Sequence, residues 1–106
     1  MSLSAKQMED TRRELRENLD KAGVSVREAA DALGTTQEYI QQLLRLEPKR
    51  LEDTWILKNY LIEKAVEAGK TPTPFTALGG DYHVIWFLDA GYIDGKKIRP
   101  GRGMRG

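Results

Sequence analysis

The side chains with most to offer a partner lie between Arg27 and Arg50. On a helical wheel over residues 36–46, Glu38, Gln41, Gln42 and Arg45 fall opposite Ile40, Leu43 and Leu44, with Gln37 at the boundary. The polar set must therefore face solvent or a partner. Glutamine pairs with adenine through two hydrogen bonds, and arginine with guanine or a phosphate, so Gln37, Gln41, Gln42 and Arg45 are suited to reading base edges. Arg27, Thr36, Lys49 and Arg50 flank them as candidate phosphate contacts. The opposing reading is a plain solvated face, since Gln and Arg are good helix formers. Charge sharpens that contrast: Arg45 stands against Glu38, so the helix is neutral, whereas phosphate attraction supplies much of the affinity for DNA.

Other chemistry is poorly provided for. The chain has no cysteine, which removes thiolate nucleophiles and sulfur-ligated zinc, and its one histidine, His83, cannot build a multi-histidine metal site. His83 lies near Asp81, but no Ser or Cys stands beside it in a catalytic motif, so no enzyme activity, cofactor or metal is expected. A length of 106 residues fits one small domain. The net charge of +1 and pI of 8.0 mean that any nucleic-acid binding must come from local placement of charge. No apolar run reaches the roughly 20 residues of a membrane span, and residues 1–9 lack the apolar stretch of a signal peptide, so a cytoplasmic protein is expected.

The elements that must position these side chains are marked by caps. Ser4 with Gln7, and Ser25 with Glu28, have capping-box spacing; Thr36 gives a third start signal. Met8, Leu15, Leu19 and Ala22 form one apolar side of a first helix ending at Gly23. Val26, Ala29, Ala30 and Leu33 form that of a short second helix ending at Gly34, and Pro48 is expected to stop the third. A fourth helix runs from Leu51 to Ala68, with a stripe of Leu51, Trp55, Ile62, Ala65 and Val66 and with Ile56 and Tyr60 outside it, so two of its sides should be covered. The prolines at 72 and 74 make residues 71–74 a stiff connector. Beyond it, Val84 to Leu88 suggest a fifth, apolar helix, and Asp94-Gly95 a minimal hairpin between Tyr92-Ile93 and residues 96–98.

The step from Ala30 to Gly34, followed by Ile40 and Leu43, resembles the helix-turn-helix of the lambda-repressor-like family. Thr35 stands where that family carries an aliphatic residue. The resemblance implies an all-α, lambda-repressor-like helix-turn-helix bundle of about five helices with an aromatic-rich C-terminal extension. It also implies that the helix over 36–46 enters the major groove of DNA, N-terminal half foremost. The whole chain is also similar to a family of small bacterial proteins of unknown function described as helix-turn-helix proteins. That likeness rests on the Ser4 helix, the helix-turn-helix, Trp55 to Leu61, Pro74-Phe75-Thr76, Gly80-Asp81-Tyr82-His83 and Trp86-Phe87-Leu88.

The expected organisation is a four-helix core over 1–70, a proline linker and aromatic lid over 71–98, and a flexible Arg/Gly tail over 99–106. The expected function is a DNA-binding transcriptional regulator; the alternative is a protein-interaction module that keeps the fold without binding DNA. Paired half-sites favour a homodimer. Ile56, Tyr60, Trp86 and Phe87 are its candidate contacts, unless they cover one another within one chain.

Overall fold

The computed structural model describes residues 4–76 together with Ile93 and Ile98. Four helices follow in order: α1 (Ala5–Ala22), α2 (Val26–Leu33), α3 (Gln37–Leu44) and α4 (Leu51–Glu67). The expected caps form. Ser4 Oγ accepts from the Gln7 amide while Gln7 Oε1 accepts from the Ser4 amide, and Ser25 and Glu28 make the same reciprocal pair. Each pair satisfies two amides that a helix start leaves unpaired.

The core is all-α. Leu15 from α1, Ala29, Ala30 and Leu33 from α2, Ile40, Leu43 and Leu44 from α3, and Trp55, Ile56, Leu57, Tyr60 and Leu61 from α4 share one apolar cluster. α4 packs chiefly on α1 and also touches α2 and α3. Its residues are buried without interruption from Asp53 to Lys58, more than a full turn, so the helix is enclosed rather than one-sided. Val66, expected on the buried stripe, is instead exposed, although Ala65 next to it is fully buried. Ile56 and Tyr60, offered above as dimer contacts, are buried within the single chain; Trp86 and Phe87 lie outside the described residues.

α1 departs from its simple apolar stripe. Thr11, Glu14 and Asn18 are buried beside Leu15 and Ala22, whereas Met8 and Leu19 are only half-buried. The polar three are not waste. Asn18 Nδ2 donates to the Thr73 carbonyl at 2.9 Å and Asn18 Oδ1 accepts from the Thr73 amide at 2.9 Å. Glu14 accepts from the Thr76 amide at 3.2 Å and from its hydroxyl at 2.9 Å, and Lys21 Nζ donates to the Thr71 carbonyl at 2.9 Å. Because prolines at 72 and 74 keep this segment extended, its remaining amides and carbonyls need outside partners, and α1 provides them. The strap delivers Phe75 into the core cluster.

Two later residues return to the same cluster. Ile93 and Ile98 are buried in it, and the Ile98 amide donates to the Leu33 carbonyl at the end of α2, at 2.8 Å. Ile93, expected in a hairpin strand, is helical, and no strand occurs among the described residues; Tyr92 and residues 94–97 of the expected hairpin lie outside them. A lone two-stranded ribbon is marginal, whereas two isoleucines buried against helices are not. The expected helix over 84–88, the rest of the lid and the tail from Arg99 lie outside the described residues.

Candidate nucleic-acid interface

The polar face on α3 depends on how tightly its two ends are set. α2 stops because Gly34 adopts φ 75 and ψ 33, left-handed values that any Cβ would strain. The Ala30 carbonyl accepts from both the Gly34 and the Thr35 amides, which closes the turn. Thr36, already extended, then caps α3 by accepting from the Tyr39 amide at 3.1 Å. Thr36 is thus the N-cap and outside the helix proper.

The far end also differs from expectation. α3 finishes at Leu44, before the proline that was expected to stop it. Leu46 takes φ 60, a left-handed value unusual for a leucine, while the Glu47 amide reaches back to the Gln42 carbonyl at 2.8 Å. Leu46 is half-buried and packs on the core, which offsets the roughly 1 kcal/mol that the left-handed conformation costs. Pro48 then excludes a helical conformation from Glu47 rather than ending α3 itself.

Tyr39 holds the helix in place. Its ring is buried, its hydroxyl donates to the Asp53 carboxylate in the first turn of α4, and the same oxygen accepts from the Lys49 amide at 2.9 Å. Lys49 Nζ sits 5.7 Å from the ring centroid. Burial first, and the hydrogen bond to Asp53 second, push the Tyr39 hydroxyl's pKa well up, so it remains a donor at every ordinary pH. One side chain therefore joins α3, the α3–α4 loop and the start of α4. Neither Tyr39 nor Asp53 is among the sequence-derived candidates. The signal for Tyr39 was its four-residue spacing from Leu43; nothing local marks Asp53 as its partner.

With α3 anchored through Tyr39, Ile40, Leu43 and Leu44, its other side is open. Gln37, Glu38, Gln41 and Arg45 are exposed and Gln42 is half-buried. Gln37, Gln41 and Arg45 follow at four-residue steps and so line one edge of the helix. Arg45 is not free: its Nε lies 3.2 Å from Glu47. Of the flanking set, Thr36, Lys49 and Arg50 are exposed close to the ends of α3, and Arg27 is exposed in the first turn of α2. The family comparison matches residues 1–89 to DUF2316, described as an uncharacterised protein conserved in bacteria. The chain belongs to the DUF2316 family. No curated protein and no solved structure matches it.

Two further features lie away from α3. A cleft of about 250 Å³ between α2 and α4 is lined by Leu33, Ile56, Asn59, Tyr60, Lys64 and Ile93, among others. Lys58 is buried with its Nζ 4.6 Å from the Trp55 ring centroid and 5.7 Å from that of Phe75, and desolvation lowers its pKa. Cation–π attraction partly replaces the hydration that this ammonium has lost. No described helix is long and apolar enough to cross a membrane.

Proposed function

We propose that this DUF2316 protein is a DNA-binding transcriptional regulator of the helix-turn-helix type, with α3 as the helix that enters the major groove. The observation that carries the reading is the exposed edge of Gln37, Gln41 and Arg45 on a helix locked from behind by Tyr39. Base reading needs side chains presented from a rigid element, because each hydrogen bond must meet its base edge within a fraction of an ångström. In this reading the exposed Thr36, Lys49 and Arg50 at the ends of α3, with Arg27 on α2, set its register on phosphates.

A second reading has one observation in its favour. The pairing of Arg45 with Glu47 leaves the α3 face without a free cation, which suits a protein-interaction module better than a DNA reader. Selection from a random duplex pool followed by titration separates the two. Gln41→Ala should weaken the selected sequence relative to random DNA by about 1–3 kcal/mol, while Arg50→Ala weakens both nearly equally. Equal losses for the two variants would show that Gln41 reads no base, and failure of the parent to bind any duplex would leave the protein-interaction reading.

A further inference from the structure

The cleft between α2 and α4 takes no part in presenting α3. Ile56, Asn59, Tyr60, Glu63 and Lys64 follow at three- and four-residue steps and so line it as one stripe of α4, opposite the last turn of α2. Leu33, Ile56 and Ile93, all buried, form its apolar walls. A dry apolar cavity of about 150 Å³ holds a molecule the size of benzene. At about 250 Å³ this cleft has room for roughly ten non-hydrogen atoms, the size of two fused rings.

Its polar groups decide what those atoms must be. Tyr60 is only 9% exposed, yet among the described residues its hydroxyl has no hydrogen-bond partner, and the Asn59 carboxamide has none either. Buried tyrosine hydroxyls normally find a partner, because leaving one unmet costs stability. Burial raises the Tyr60 pKa, so the hydroxyl keeps its proton and can donate. The charged groups of the cleft are already engaged: Lys64 Nζ lies 3.2 Å from Glu67 Oε1, and Glu63 has an interaction of its own. An anionic ligand would compete with Glu67 for Lys64 and would set a charge against three aliphatic walls. A neutral molecule with one hydroxyl instead has what each open group lacks, an acceptor for Tyr60 and a donor for Asn59 Oδ1. A rigid aromatic body loses little freedom on binding and suits the Tyr60 ring beside it.

We propose that the α2–α4 cleft is a binding site for a small neutral phenol of one or two rings, with its hydroxyl on Tyr60 and its rings against Leu33, Ile56 and Ile93. The site stands independently of the DNA-binding reading, since none of its residues belongs to the α3 face.

The test titrates the full-length, nitrogen-15-labelled protein with 2-naphthol and follows the amide shifts. Binding should saturate with a Kd of about 1 mM or tighter, the range open to a ligand of this size, and the largest shifts should fall at Leu33, Asn59, Tyr60 and Ile93. Tyr60→Phe keeps the ring and removes the hydroxyl. Because that hydroxyl has no described partner in the free protein, the thermal midpoint should stay within about 3 °C of the parent's, while affinity for 2-naphthol falls about five- to tenfold. Ala32→Leu fills the cleft from the α2 side and should abolish binding. The parent should bind 2-naphthoate, the same rings carrying a carboxylate, at least about tenfold more weakly than 2-naphthol. Absence of saturation by 2-naphthol, largest shifts elsewhere, or undiminished binding by Ala32→Leu overturns the site. A Tyr60→Phe variant that binds like the parent, or a parent that prefers 2-naphthoate, overturns the neutral phenol as its ligand.

Discussion

Replacing Tyr39 with phenylalanine removes one oxygen and leaves the ring that packs in the core. That oxygen donates to the buried Asp53 carboxylate and accepts from the Lys49 amide. A hydrogen bond to a charged group contributes about 1.5–3 kcal/mol, and an amide left without its acceptor in a half-buried position costs about 1 kcal/mol more. Asp53 retains another interaction, so its charge is not stranded, and the lower part of that range applies. The expected loss is about 2–3 kcal/mol, a large share of the 5–15 kcal/mol typical of a small domain. Urea melts should show a lower midpoint at an unchanged m value, and the thermal midpoint should fall by roughly 10–20 °C.

The pH dependence tests the same bond from another direction. The folded-state pKa of Tyr39 is raised above its unfolded value near 10, so its contribution is fully present below about pH 10 and is lost as pH climbs through the folded value. The gap between parent and Tyr39→Phe should narrow above about pH 10. A gap under about 0.5 kcal/mol at neutral pH, or one that does not change with alkali, would refute Tyr39 as the anchor of α3.

The remaining predictions concern the turn and the strap. Gly34→Val forces a β-branched residue into the left-handed region and should destabilise by more than about 1 kcal/mol; an unchanged thermal midpoint would mean that the turn relaxes without cost. Asn18→Ala removes both bonds to Thr73 and should cost about 1–3 kcal/mol, with hydrogen exchange at the Thr73 amide accelerating more than at amides inside α2. Uniform exchange rates in that variant would show that the Asn18 bonds do not hold the strap.

Local chemistry was enough to place the helix starts. Ser4, Ser25 and Thr36 each satisfy amides within three residues of themselves, and Gly34 meets a demand of its own backbone, so these signals do not depend on the rest of the fold. The open face of α3 followed equally directly, because Ile40, Leu43 and Leu44 are buried and leave Gln37, Gln41 and Arg45 outside. Arg45 is exposed as its wheel position implies, but its pairing with Glu47, across the left-handed Leu46, is not marked by helical periodicity.

Tertiary structure alone decided the long-range partners. Asn18 meets Thr73 across 55 residues of sequence and Glu14 meets Thr76 across 62, and no periodicity distinguishes a buried polar side chain with such a partner from an exposed one. The same holds for Tyr39 with Asp53, where a carboxylate in a helix's first turn serves the local dipole equally well without any partner. Ile98 is the clearest case. Its type permits burial anywhere, and only the fold sets its amide on the Leu33 carbonyl, an acceptor that the end of α2 leaves without a helical partner.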